Sequence, residues 1–261
     1  MQKVCLVTGG SRGIGAAVCR ALIAQGCRVY ALSRSGRGPE GAHNLIGDVT
    51  DPESVKAAIA QISAREGRLD VLICNAGTVI SGAVEYIAPE AASRLFALNF
   101  EGMAHCVRTA IPVMRASGGG RVVCIASMAA AFPVPFHAYY SASKAAAEAF
   151  AKAVRNEVRP FGIGVCAVLP GDTRTSPVRE KYHEGDALYG GRISRGVAVM
   201  ERDEERGMDP EKVGRAIARI ALKKRVKPAY AIGFVSKLQL FLKRFMPESF
   251  VSAIVGKMYA S

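Results

Sequence analysis

Six short runs in this chain are largely apolar rather than alternating: VCLVT (4–8), RVYALS (28–33), HNLIGDV (43–49), LDVLICNAG (69–77), RVVCIAS (121–127) and IGVCAVLPG (163–171). A strand with one wet face alternates apolar and polar residues, whereas a run that is apolar throughout must be covered on both faces. Between the runs lie stretches of helical length: AAVCRALIAQG, DPESVKAAIAQISAREG, a long segment near 88–116, and YYSASKAAAEAFAKAVRNEVRPFG. Strand and helix therefore alternate along the chain. That order predicts a doubly wound α/β fold, a parallel sheet with helices on each side.

With 261 residues, half of them hydrophobic, the chain can bury one large core, and nothing in it reads as a linker between two halves. We expect a single domain over 1–235 with a helical tail, 236–261, packed on it. Thr50 or Asp51 can cap a helix opening at Pro52, and Pro160 with Gly162 can close the helix that begins near Tyr139. The stretch 172–208, rich in Gly, Arg and Glu, has weak periodicity and reads as a lid or binding loop. The opening residues resemble no export signal, and no apolar run reaches about 18 residues. The seven cysteines are scattered singly, with no C-x-x-C pair and no zinc-type His spacing. They suit a cytoplasmic, reducing compartment and no metal.

Residues 8–15, TGGSRGIG, admit two chemistries. Gly9, Ser11 and Gly13 fit G-x-S-x-G, an elbow that presents a serine nucleophile; Gly9, Gly13 and Gly15 fit a turn that lets a phosphate approach a helix N-terminus. A hydrolase elbow needs strands before it and an acid and then a His after it. Here the motif follows the first run, and none of His43, His105, His137 and His183 sits in a late strand-end loop near an acidic partner. No Gly-Lys-Ser/Thr follows for a Walker site. A dinucleotide turn fits best, with Ala16 and Ala17 small enough for close helix packing.

The motifs that follow resemble those of the short-chain dehydrogenase/reductase family, with its single Rossmann-type domain. Thr8–Gly15 resembles its glycine motif, Asn75, Ala76 and Gly77 its N-A-G, and Asn99 its helix asparagine. Ser127 falls at its catalytic serine, Tyr140 and Lys144 at its Y-x-x-x-K, and Pro170–Gly171 at its P-G turn, with Thr175 where a threonine faces the nicotinamide. Together these span roughly residues 3–235. Cys74 departs from a second Asn common in the family. The tail, which lacks the Asp-Gly-Gly ending of many acyl-carrier reductases, resembles the 17β-hydroxysteroid and retinol dehydrogenase branch.

The resemblance implies hydride transfer between a nicotinamide and a hydroxyl or carbonyl carbon. Negative charge on the substrate oxygen then needs a proton donor and a polarising hydrogen bond. Tyr140 would be the donor, Lys144 on the same helix face would favour its ionised form and hold the ribose, Ser127 would bond the oxygen, and Asn99 would support a water. Each has a plain structural alternative, since Tyr-x-x-x-Lys alone is common on helix surfaces, and their joint presence decides. The cofactor contacts implied are Ser11, Arg12 and Ile14 with the motif glycines, Asp48 and Val49 near the adenine, Asn75 to Gly77, and Pro170, Gly171, Thr173 and Thr175. His137 reads as structural or as a pocket wall.

A site for unphosphorylated cofactor usually has an acid after the second strand. Ser33 stands there, followed by Arg34, and with Arg12 it predicts NADP(H). Phe132, Val134 and Phe136 favour a bulky apolar alcohol or ketone, such as a steroid or lipid. The alternatives are a 3-oxoacyl carrier or other small-ketone reductase, or a non-catalytic cofactor-binding sensor. Of the formal charge of +13, about +9 falls in 211–261, where 11 Lys or Arg face Glu211 and Glu248. No nucleic-acid motif accompanies it, so nucleic acid is not an expected partner. Leu238, Phe241, Leu242 and Phe245 with Lys237, Lys243 and Arg244 could form an amphipathic helix pair that packs on the domain or on a partner subunit, or touches an anionic membrane weakly. The family also implies a homodimer or homotetramer.

Overall fold

The computed structural model describes residues 2–175 and 178–260. Its central strands are β1 (Val4–Thr8), β2 (Arg28–Ser33), β3 (His43–Ile46), β4 (Val71–Cys74), β6 (Gly120–Ile125), β7 (Ile163–Pro170) and β9 (Ala229–Ile232). They form one parallel sheet in the order β3-β2-β1-β4-β6-β7-β9. A small parallel pair, β5 (Val79–Ser81) with β8 (Arg179–Lys181), lies outside it. The third run is shorter than its sequence suggests, because Gly47 to Thr50 turn away and the Asp48 carboxylate accepts from the Thr50 amide at 2.9 Å.

Both faces of the sheet are covered, as continuous apolar strands require. On one face α1 (Gly13–Ile23) and α7 (Pro210–Ala221) pack Val18, Leu22, Val213 and Ile217 against Val7, Ile73 and Val123. These helices lie close because Gly214 meets Ala17, where any Cβ would strike the Ala17 backbone. On the other face α2 (Pro52–Glu66), α4 (Gly102–Ala116) and α5 (Ala138–Val158) cover Leu6, Leu72 and Val122 with Ile59, Cys106 and Ala151. Asp51 caps α2 by accepting from the Glu53 amide, with Pro52 in the first turn. All seven cysteines are buried and unbridged.

The stretch expected to be a loop contains a helix, α6 (Arg192–Glu205). Its buried face is Ile193, Gly196, Val197 and Met200, a helical i, i+3, i+4, i+7 stripe set among glycines and charges that made the stretch read as a loop. Two residues of that stretch, 176 and 177, lie outside the described residues. After β9 come α8 (Phe234–Lys243) and α9 (Glu248–Tyr259), and α9 packs on α6.

Candidate active site

The strand order reverses at β1, whose neighbours β2 and β4 are reached by opposite crossovers, so a crevice opens at the carboxyl ends of β1 and β4. Its two rims are tied together. Thr8 Oγ1 accepts from the amides of Asn75 at 3.0 Å and Ala76 at 3.1 Å, while Asn75 Nδ2 donates to the carbonyls of Thr8 and Gly9 at 3.1 and 3.3 Å. Gly9 and Gly13 hold positive φ, 65° and 54°, which brings the turn back over the start of α1. A Cβ on Gly15 would collide with the Gly9 carbonyl oxygen and with Asn75 Nδ2. The third glycine therefore sets the shape of the turn from behind.

A cleft of about 790 Å³ runs from this turn across the sheet ends to the C-terminal helices. Ser11, Arg12, Ile14, Arg34, Asp48 and Val49 line one limb, followed by Asn75, Ala76 and Gly77, then Ser127, Tyr140 and Lys144, with Pro170, Gly171, Thr173 and Thr175 opposite. Thr175 stands over the turn, its methyl carbon 3.4 Å from where a Gly13 Cβ would lie. The sequence motifs, scattered over 168 residues from Thr8 to Thr175, thus converge on one elongated cavity.

Two of the expected site residues stand behind the wall. Gly15 is buried under the turn. Asn99, 2% exposed, sits in a π-turn at Ala97–Glu101 between α3 (Pro89–Phe96) and α4. Its Oδ1 accepts from the Thr78 amide at 2.8 Å, and its Nδ2 donates to the Thr78 carbonyl and to Ser143 Oγ. These bonds anchor the loop after Gly77 to the helix that carries Tyr140.

Ser127, at the end of β6, accepts from the Ala129 amide at 3.1 Å, which leaves its own hydroxyl proton to point into the cleft. The Lys144 ammonium donates to the Ile125 carbonyl at 3.1 Å and lies 5.8 Å from the centre of the Tyr140 ring. Burial pulls the lysine down to about 8. Burial also raises the Tyr140 phenol above its ordinary value, the Ser127 hydroxyl acts against that, and the Glu204 carboxylate adds to it. Desolvation holds each group nearer its neutral form.

The sequence did not mark Met200 and Glu204 of α6, or Met246, Val251, Val255 and Tyr259 of the tail, all of which line the far limb. Phe132 and Val134 line it too, whereas Phe136 turns away, edge-on to Tyr189 at 6.0 Å. Behind Tyr140 a polar chain fixes the wall. His137 bonds Ser81 Oγ at 2.7 Å, Arg179 Nη1 donates to that Oγ at 3.4 Å, and Arg179 forms an ion pair with Glu204. Burial, aided by Arg179, lowers His137 to about 3, so it is a neutral structural link.

The family model for short chain dehydrogenases matches residues 3–186. The chain belongs to that family. It is 33% identical to a 3-ketodihydrosphingosine reductase of Bacteroides thetaiotaomicron, over 99% of this chain and 98% of that protein. It is 28% identical to the dehydrogenase/reductase SDR family member 7B of Xenopus tropicalis, over 98% and 85% of the two chains. Among solved structures, a short-chain dehydrogenase from Streptomyces avermitilis superposes with a TM-score of 0.84 at 31% identity, covering 94% of this chain and 93% of that one. As a short-chain dehydrogenase the protein is an oxidoreductase that takes a nicotinamide dinucleotide, and the glycine cradle fits one: Gly9 and Gly13, at positive φ, bring bare backbone to the cleft floor, and Gly15 packs behind them where a Cβ would not fit.

Proposed function

We propose that the protein interconverts a hydroxyl and a carbonyl on a bulky apolar substrate, a lipid or steroid, using NADP(H). The observation that carries this reading is the far limb of the cleft, walled beyond Tyr140 by Leu242, Met246, Val251, Val255 and Met258. Such a wall favours an alkyl chain or fused rings over a sugar. Asp172 and Glu204 line the same limb, which gives it one polar end, and the relative named for 3-ketodihydrosphingosine makes a long-chain ketone with a polar head the first substrate to try. For the cofactor, Ser33 ends β2 where an acid would repel a 2′-phosphate, and Arg12 and Arg34 both reach the adjoining limb.

In reduction, Tyr140 donates its phenolic proton to the substrate oxygen as charge develops there, and the Ser127 hydroxyl hydrogen-bonds the same oxygen. The raised phenol keeps that proton at neutral pH. Lys144 supports the resulting phenolate and is placed to hold a ribose; the bound nicotinamide supplies the hydride. Asn75 and Asn99 act through backbone, keeping the loop from Asn75 to Thr78 in register with the turn. A homodimer through α4 and α5 fits the half-buried Phe100 and Phe150, which meet edge-on at 5.8 Å. The buried, unbridged thiols suit a cytoplasmic enzyme.

The test is titration with NADPH and NADH, read by fluorescence of the bound nicotinamide against the low background of a chain without tryptophan. Tight NADPH and weak NADH binding is expected, followed by turnover of long-chain or steroid ketones. Tyr140→Phe should lose turnover while binding NADPH. Binding of neither cofactor, or turnover surviving in Tyr140→Phe, overturns the reading.

A further inference from the structure

Large apolar side chains are exposed mainly at one place. Of the fourteen on the described surface, nine lie between Phe234 and Met258. On α8 Phe234, Leu238 and Phe241 recur at the spacing of one helix face, and Phe245, in the turn that follows, meets Phe241 edge-on at 5.3 Å. On α9, Phe250, Ile254 and Met258 do the same, beside the buried pair Val251 and Val255. Phe234 is 81% exposed and Phe245 73%. Such a ridge has a cost in water that scattered surface apolar residues do not explain.

The ridge is continuous with the cleft. Leu242, Ile254 and Met258 belong both to the exposed set and to the cleft wall, so the two helix faces meet at its rim. The helices are also braced. Lys243 donates to the Ala131 carbonyl, just beyond Ser127, and lies 5.3 Å from the centre of the Phe132 ring, while Tyr259 bonds Asp203 at 3.0 Å. Exposed cations flank the apolar face: Lys237 on α8, Arg244 just after it and Lys257 on α9, against Glu248.

We infer that α8 and α9 form a docking face for an anionic lipid bilayer, placing the mouth of the cleft on the membrane surface. Charge chooses this occupant over a second copy of the chain: a two-fold interface would set these cations against themselves, whereas anionic headgroups neutralise them. Among the described residues no helix is long and apolar enough to cross a membrane. The contact is therefore peripheral, with the Phe side chains inserted at the headgroup boundary and the cations above them. Delivery of substrate through that mouth rests on the apolar-substrate reading; the docking itself does not.

The experiment is co-sedimentation of the full chain with vesicles of phosphatidylcholine alone and of phosphatidylcholine mixed with phosphatidylglycerol. It compares wild type with Phe241→Asp/Phe245→Asp, whose fold is checked by NADPH binding and circular dichroism. Wild type should pellet at least tenfold more with the anionic vesicles, release in high salt, and lose this binding in the double variant. No sedimentation of wild type, or equal sedimentation of both proteins, overturns the proposal. So does a wild-type dimer that the double variant dissociates, because a second copy would then cover the face. Reduction of a short water-soluble ketone should be unchanged in the variant, while that of a long-chain ketone dissolved in vesicles falls. If no ketone is reduced the proposed function fails, and sedimentation still decides the docking.

Discussion

Lys144 holds its ammonium 5.8 Å from the centre of the Tyr140 ring while donating to the Ile125 carbonyl, and burial lowers it to about 8. In the unfolded chain a lysine keeps a pKa of about 10.4. Between pH 8 and that value the unfolded state binds the extra proton, so this residue makes stability rise with pH across the window and weighs on the native state below it. Lys144→Met should therefore be more stable than wild type by about 1–3 kcal/mol in urea melts at pH 7. The gap should narrow toward pH 10, and a gap that stays constant with pH would show that the charge is not its source. Activity of the same variant should fall by about 10²–10⁴.

Gly15→Ala places a methyl group against the Gly9 carbonyl oxygen and Asn75 Nδ2, neither of which can move without breaking the tie between β1 and β4. We expect a loss of about 1–3 kcal/mol in stability, typical of strain in a packed interior. Nicotinamide cofactor affinity should drop at least tenfold, because the displaced turn forms the cleft floor. Isothermal titration of a variant that still unfolds cooperatively separates the two effects, and unchanged affinity would mean that the turn tolerates the shift.

Arg34 and Arg12 are exposed on the cofactor limb, and neither forms an ion pair among the described residues. If they meet a 2′-phosphate, Arg34→Ala should weaken NADPH by about 1.5–3 kcal/mol, the worth of a hydrogen bond to a charged group, and leave NADH nearly unchanged. Ser33→Asp should invert the preference by adding repulsion. Equal weakening of both cofactors by Arg34→Ala would place the arginine elsewhere.

Six of the sheet's seven strands were legible as largely apolar runs, while β9, an edge strand only partly buried, was not, and the near limb was legible because Thr8–Gly15, Asn75–Gly77, Ser127, Tyr140 and Lys144 bear motif spacings tied to backbone needs. The far limb was not. Met200 and Glu204 lie on a helix whose short apolar stripe is surrounded by glycines and charges, and Val251 and Val255 look like any packing residues of a tail. Their place in the cleft is set by how α6 and α9 pack together, a long-range contact that leaves no local pattern. Asn99 stood out by its motif, but its clamp on Thr78 did not, because the partners of an amide are set by packing and leave no mark in the letter.

Glu204, ion-paired to Arg179, adds to the burial that raises Tyr140, while Arg179 works against it. Ketone reduction needs the phenol protonated, so kcat/KM should decline as pH rises through the Tyr140 pKa. Glu204→Gln removes a negative charge and leaves Arg179 unneutralised, and both changes favour the phenolate. The alkaline limb should therefore move to lower pH, with rates at acidic pH reduced less than those at alkaline pH. Asp172→Asn, which removes a smaller influence of the same sign, should move it less. A pH–rate profile of NADPH-driven ketone reduction measures both, and a limb that stays put or moves upward in Glu204→Gln would show that the carboxylate does not act on Tyr140.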